Sequence, residues 1–374
     1  MKRFIGYFIA LEILILSSLA HADEYTIGVM QSLTGAVAFA GVPGTNGIRL
    51  AVDEINTSGF LGPHKLKILV EDTAFDKSQA ISITNRFARQ TEALMIIGPT
   101  STPEALTTGP LVNNLKIPQF TFATFSAIPE SGPFSFKGSR DSGGKFADAL
   151  VEYASNKLGV KKCSIVFDRS ADGWVGQAKD LRTRLKTASI EIVSDDSIAT
   201  SDTDFTGVGT KLATVGPDCL FLSMAVEQAA SVVVQAKQSG MSEKTKILAF
   251  QAEASPPWIE IGGKAIEGSI VVSDVDLNGI NDEGRRFVAD YIKRYNMKPT
   301  NFAAVAYAMT KVAAIAIRNA GPKPDREKVR SELAKIKNVP SILGRGLFSM
   351  DAKRTGEYDV VLLTVKNGAF IRTD

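Results

Sequence analysis

The sequence predicts two α/β lobes, each a doubly wound, mainly parallel sheet. Three observations predict it. Short apolar runs alternate with helix-length segments almost throughout, which is the pattern of βαβ units. A second series of strands opens near residue 164, after a first closes near residue 122. The 374 residues also exceed what one compact core usually serves.

Taken in order, Tyr25–Gln31 reads as a strand leading through a Gly-rich loop into a helix over 46–56. Leu66–Glu71 is a second strand, followed by a helix over 77–91. Leu94–Gly98 is a third, with a helix starting at Thr102, and Ile117–Phe122 a fourth. Right-handed crossovers then place helices on both faces of one sheet. The second series is Ser164–Asp168, Ile190–Ser194, Cys219–Ser223, Lys246–Phe250 and Ser269–Ser273, with helices centred near Asp180, Leu212 and Val233. Helices over 282–295, 302–319 and 324–336 follow. A hairpin, Asp359–Val365 and Ala369–Arg372 around Lys366-Asn-Gly, ends the chain.

At the N-terminus, Lys2 and Arg3 precede a mostly apolar run from Phe4 to Leu19, and Ala20-His21-Ala22 is a small-x-small site. These are the three parts of a secretory signal peptide over 1–22, with a mature start near Asp23. No later segment approaches the length of a spanning helix. The net charge of +3 is small and interspersed, unlike the basic stripe of a nucleic-acid binder. Cys163 and Cys219 each open an apolar strand. An oxidising compartment permits a disulfide between them, and burial as two small apolar residues is the alternative. Past residue 22 the one histidine is His64, in a turn-like Gly62-Pro-His-Lys, and no Cys-x-x-Cys occurs. We therefore expect neither a metal nor a cofactor. No Walker motif is present. Gly41-x-x-Gly44-x-x-Gly47 has neither the spacing nor the position of a dinucleotide fingerprint.

In open parallel sheets, ligands sit beyond the carboxyl ends of the strands. Three loops there combine hydroxyls, glycines and aromatics: Gln31-Ser-Leu-Thr-Gly-Ala-Val-Ala-Phe-Ala-Gly, Gly98-Pro-Thr-Ser-Thr-Pro and Thr121-Phe-Ala-Thr-Phe-Ser. Hydroxyls such as Ser101, Thr102, Thr124 and Ser126, with free helix N–H groups, suit a carboxylate. Rings suit an apolar body. Taken singly, each hydroxyl is equally an ordinary helix cap.

The segments Ile27-Gly-Val with Leu33-Thr-Gly, Asn46-Gly-Ile-Arg-Leu-Ala-Val-Asp-Glu-Ile-Asn, Glu71-Asp-Thr, Ile97-Gly-Pro-Thr-Ser-Thr, Gln235-Ala-Lys-Gln-Ser-Gly, Ile266-Glu-Gly and Ala306-Tyr-Ala occur in this order over residues 24–372. In that order and spacing the chain resembles the leucine/isoleucine/valine-binding protein family, the type I periplasmic receptors of bacterial ABC importers. The resemblance implies a Venus-flytrap of two lobes joined by three crossovers. Lobe 1 would be 23–140 plus 275–350, and lobe 2 141–274 plus 351–374. It also implies a monomer that closes on a small carboxylate and meets membrane permease subunits. Thr102 and Thr124 match the carboxylate-holding hydroxyls, Asp141 an aspartate lining the cleft, and Phe302 a pocket aromatic.

Other positions depart from the family. Its first-loop aromatic is Ala40 here, beside Phe39. Its lobe 2 aromatic is Asp172, in Ala171-Asp-Gly-Trp174. The acid that pairs with a ligand's α-ammonium falls on Gln251, with Glu253 two residues on. A desolvated ammonium needs a carboxylate or several well-placed acceptors, and a Gln amide offers one neutral oxygen. With Phe120, Phe122, Phe125 and Trp174 nearby, the expected ligand is a carboxylate without a free α-ammonium, an aromatic acid by preference. The alternatives are a hydrophobic or branched-chain amino acid, if Glu253 or Asp141 supplies the charge, an amide or urea binder, a sensor ectodomain, and an enzyme on the same architecture. For the enzyme, carboxylate chemistry at Asp141 and Asp172 is the remaining route.

Overall fold

The computed structural model describes residues 24–139, 142–276, 278 and 281–373. The signal segment, the start near Asp23 and Asp141 lie outside the described residues. In chain order, lobe 1 opens with β1 (Glu24–Gln31), α1 (Ala38–Thr57), β2 (Lys65–Asp72), α2 (Lys77–Gln90), β3 (Met95–Ile97), α3 (Thr102–Asn114), β4 (Gln119–Thr121) and β5 (Ser135–Lys137). Its sheet is parallel, in the order β2-β1-β3-β4-β5. The chain then builds α4 (Ala147–Asn156), β6 (Lys162–Asp168), α5 (Asp172–Thr187), β7 (Glu191–Ile198), α6 (Thr206–Val215), β8 (Cys219–Ser223), α7 (Val226–Gln238), β9 (Lys246–Ala249), α8 (Pro256–Gly262) and β10 (Ile270–Ser273). It returns to lobe 1 for α9 (Asp282–Tyr295), α10 (Asn301–Asn319), α11 (Arg326–Ala334) and a small sheet of β11 (Val339–Pro340), β12 (Leu347–Met350) and β13 (Gly356–Glu357). The hairpin of β14 (Val361–Lys366) and β15 (Ala369–Arg372) then joins the second sheet, in the order β15-β14-β10-β9-β8-β6-β7, with β14 antiparallel to β10. Three segments thus cross between the lobes, after β5, after β10 and after β13. Residues 351–357 stay with lobe 1, because β13 pairs with β12 and Thr355 bridges Lys137.

The expected architecture and nearly every expected strand are present. Helix α1 begins at Ala38, well before the expected start at Asn46, and the reason lies in its glycines. A Cβ on Gly41 would meet the Ser32 carbonyl oxygen at 2.0 Å, and one on Gly47 would meet that of Ala303 at 2.1 Å. The spaced glycines therefore let α1 lie against the β1 loop and against α10, a helix of Ala, Val and Ile on nearly every face. They are a packing device, not a phosphate cradle. β5, α4 and α8 had no expectation; β5 and α8 are short, while α4 does carry an apolar stripe of Ala147, Leu150, Val151 and Ala154.

A buried hydrogen-bond cluster ties the crossings. Asp274, just past β10, accepts from Asn301 Nδ2 at 2.7 Å and from the Tyr358 hydroxyl of the third crossing at 2.6 Å. Its carbonyl accepts from Gly344 N–H at 2.8 Å. Ser273 donates to Asn301 Oδ1 at 2.8 Å.

Cys163 and Cys219 form a disulfide. They are register partners on the adjacent parallel strands β6 and β8, with Cα atoms 4.6 Å apart. They sit at the amino ends of those strands, away from the loops that face lobe 1. The bridge joins residues 56 apart in sequence, which on loop-closure entropy is worth about 4 kcal/mol. The double variant Cys163→Ala/Cys219→Ala should lose about 2–4 kcal/mol of unfolding free energy in urea. Its ligand affinity, measured by calorimetry below the transition, should match the wild type.

Candidate functional site

Loops at the carboxyl ends of six strands meet between the lobes around a cavity of about 100 Å³. Lobe 1 contributes Val37, Phe39 and Ala40 after β1, Phe75 after β2, Thr100 to Pro103 after β3, Phe122 and Thr124 after β4, and Phe302 from α10. Lobe 2 contributes Ala171, Gly173, Trp174 and Gln177 after β6, and Gln251 and Ala252 after β9. Phe39 meets Phe302 edge to face, with ring centroids 5.7 Å apart. No charged side chain lines this cavity among the described residues. An adjoining cavity shares Ala40, Thr100, Phe122, Thr124, Gln251 and Phe302 and adds Gln31, Gly44, Ser139, Asp274, Asn301 and Val305.

One end of the cavity is built from hydroxyls and a helix terminus. A Cβ on Gly173 would stand 3.3 Å from Thr102 Oγ1 and 3.8 Å from Thr124 Oγ1. Both hydroxyls of lobe 1 therefore converge on the first turn of α5 in lobe 2. That turn carries no side-chain cap, since the N-cap residue is Ala171, so its leading N–H groups remain available. Neither hydroxyl makes a hydrogen bond to protein among the described residues. Their loops are held from behind. The buried Lys137 ammonium donates to the Thr124 carbonyl at 3.0 Å. Ser101 caps α3 and donates to Glu104, which also accepts from Ser32 at 3.2 Å. Burial raises the Glu104 carboxyl above its ordinary range, against the pull of the Ser101, Thr73 and Ser32 hydroxyls.

The aromatic lid has a backbone cause. Ala74 and Phe75 both adopt left-handed angles, φ 50° and 60°, which non-glycine residues rarely take. The Asp72 carboxylate imposes them by accepting from Ala74 N–H at 2.7 Å, Leu33 N–H at 2.8 Å and the Thr34 hydroxyl at 2.7 Å. The result turns the Phe75 ring into the cavity.

Of the expected site residues, Phe39, Ser101, Thr102, Thr124, Trp174, Gln251 and Phe302 line the cavity. Ser101 is spent on the α3 cap. Asp172 does not reach the cavity. It is exposed as the first residue of α5, and the helical turn gives the inward position to Gly173. Ser126 is also exposed, on a separate groove with Lys145 and Glu357, because the chain turns there into the short helix Ile128–Ser131. Asp141 lies outside the described residues. Of the further rings, Phe122 lines the cavity, while Phe120 is core and Phe125 packs beside Ala105 and Ile128. Sequence reasoning missed Phe75 and Gln177, and had Gln31 only as the head of the first candidate loop. For Phe75 the available signal was its place two residues after Glu71-Asp-Thr. His64 stacks on Tyr25 at 4.8 Å, at the opposite end of β1 from the cleft.

Glu253, the alternative source of charge, is fully buried and does not line either cavity. Neither of its carboxylate oxygens has a hydrogen-bond partner among the described residues. Desolvation, with Glu227 adding repulsion, pushes its carboxyl well above the ordinary range, which favours the neutral form.

Two doubly wound lobes closed over a cavity at the carboxyl ends of their strands define a two-lobed receptor for a small ligand. The chain belongs to the periplasmic binding protein family, whose model matches residues 24–369. It is 25% identical over 328 residues to the Leu/Ile/Val-binding protein BraC3 of Rhizobium johnstonii, covering 87% of this chain and 88% of that protein. The leucine binding protein LivK of Thermotoga maritima superposes with a TM-score of 0.84 at 25% identity, over 94% of this chain and 98% of that one. A solute binding protein of an ABC transporter from Rhodopseudomonas palustris, solved with 3,4-dihydroxybenzoic acid, shares the fold with a TM-score of 0.84 at 20% identity, over 93% and 95% of the two chains. The resemblance to the leucine/isoleucine/valine-binding proteins is thereby upheld.

A carboxyl whose pKa is raised by folding holds its proton more tightly in the folded chain. It favours folding below the ordinary carboxylate range, and that contribution is lost as pH rises through the raised value. Glu253→Gln should therefore raise the melting temperature at pH 8 more than at pH 4, while ligand affinity stays at the wild-type value.

Proposed function

We propose that the protein is the periplasmic solute-binding subunit of an ABC-type importer. In this reading it captures a small carboxylate lacking a free α-ammonium, with an aromatic acid as the preferred ligand. The observation that carries this is the polarity of the cavity. Two unengaged hydroxyls and an uncapped helix terminus converge at one end, rings from Phe39, Phe75, Phe122, Trp174 and Phe302 wall the rest, and no carboxylate lines it. The uncapped N–H groups and hydroxyls stabilise an anion. The rings favour a flat apolar body. An ammonium placed there would be desolvated without a counter-charge. The fold accommodates ligands of both kinds among its relatives, so the choice rests on these residues.

In this reading Thr102 and Thr124 hold the carboxylate from lobe 1, Gly173 and its neighbours close on it from lobe 2, and Gln251 faces the neutral part of the ligand. The signal peptide delivers a monomer to the periplasm, where the disulfide is stable. The closed pair of lobes then presents its joint surface to the permease subunits. The ligand leaves chemically unchanged. Mass spectrometry of ligand recovered after prolonged incubation should return the input compound, and turnover would instead mark an enzyme.

A second reading, an amino-acid binder, is favoured by one observation. Asp274 edges the adjoining cavity, although both its carboxylate oxygens already accept hydrogen bonds. Competition between matched pairs separates the two: 3-phenylpropionate should displace better than phenylalanine, and isocaproate better than leucine. The reverse order in both pairs would establish the amino-acid reading. Gln251→Glu should weaken the plain acid and favour its α-amino counterpart.

A hydroxyl bonded to a charged group contributes about 1.5–3 kcal/mol. Thr102→Val and Thr124→Val, which keep the shape, should therefore each weaken binding roughly ten- to a hundredfold by calorimetry. Wild-type affinity in both variants would remove the carboxylate assignment.

A further inference from the structure

In the adjoining cavity, two amide atoms are buried without a partner among the described residues. Gln31 is fully buried at the carboxyl end of β1, and its Nε2 has no hydrogen-bond acceptor. Gln251 is 7% exposed, and its Oε1 has no donor. Both side chains line the adjoining cavity, one from each lobe. The Gln31 amide is held in orientation by the Thr100 hydroxyl, which donates to its Oε1 and so leaves Nε2 as the free end. Of the other polar side chains around this cavity, Ser139 donates to the Phe122 carbonyl at 2.8 Å, Asn301 and Asp274 belong to the cluster at the crossings, and Thr124 carries the free hydroxyl already assigned to the carboxylate.

A buried donor and a buried acceptor left unmade are each costly. Among simple groups, a carboxylate would satisfy Gln31 Nε2 and repel Gln251 Oε1. An ammonium would do the opposite. A hydroxyl satisfies both, accepting from Gln31 and donating to Gln251. We propose that Gln31 and Gln251 form a subsite for a neutral hydroxyl group of the ligand, so that the favoured ligand is a hydroxylated carboxylic acid. This rests on the reading of the main cavity as a carboxylate site, and Gln31 acts in it as a specificity-determining residue.

The test uses two probe pairs: 3-phenylpropionate with 3-(4-hydroxyphenyl)propionate, and hexanoate with 6-hydroxyhexanoate. Calorimetry is run on the full mature chain and on Gln31→Met, whose fold is checked by its circular-dichroism melting curve. In the wild type the hydroxylated member of at least one pair should bind roughly three- to tenfold tighter than its plain partner, the value of one or two neutral hydrogen bonds. Gln31→Met should erase that difference and leave the plain acid where it was. Gln251→Leu provides a second variant, in which the difference between the two members of each pair should likewise vanish. Equal binding within both pairs, the result if water fills the subsite, overturns the proposal, as does failure of both hydroxylated acids to bind. A parallel weakening of both members by Gln31→Met also overturns it. Failure of the carboxylate reading shows separately, as wild-type affinity in the Thr102 and Thr124 variants.

Discussion

Gly173 sets the first turn of α5 directly against the Thr102 and Thr124 hydroxyls, and the geometry of the site depends on it. At 3.3 Å from Thr102 Oγ1, even a methyl group there would be tight. Glycine in the first turn of α5 therefore lets a helix end from one lobe be delivered directly onto the loops of the other. The carboxyl ends of β3, β4 and β6 face the same point, and the rings carried by the neighbouring loops enclose what remains. A larger residue would hold the lobes apart and let water reach the hydroxyls, where their hydrogen bonds would count for less.

The same economy of small residues recurs at the back of lobe 1. Gly41 and Gly47 bring α1 against the β1 loop and α10, which sets where Phe39 and Phe302 meet across the cavity. Where small residues do not suffice, hydrogen bonds force the backbone, as Asp72 does at Ala74 and Phe75. Close packing and one strained turn thus place three of the five rings.

The fold was legible because alternating apolar strands and amphipathic helices dictate βαβ units whatever the ligand. Cys219–Ser223, Asp282–Tyr295 and Ala369–Arg372 appear with their expected bounds. The threonines were legible too, since each follows a strand at its carboxyl end. Asp172 was not, because successive side chains on a helix point about 100° apart, and in the first turn of α5 the inward position falls to Gly173. Phe75 needs a backbone conformation that composition does not announce. The disulfide needed register: each cysteine opened a strand, but only the pairing of β6 with β8 sets them side by side.

The cluster around Asp274 has a mechanical consequence. It fastens the second crossing to the third through Tyr358 and to the foot of α10 through Asn301. Crossings pinned to each other cannot slide independently, so the lobes are left with one easy rotation. A linkage with a single coordinate converts misfit anywhere in the cleft into the same error everywhere. A ligand one atom too long would leave the whole rim ajar rather than disturb a local contact. Size would then be read at the outer surface, as an angle.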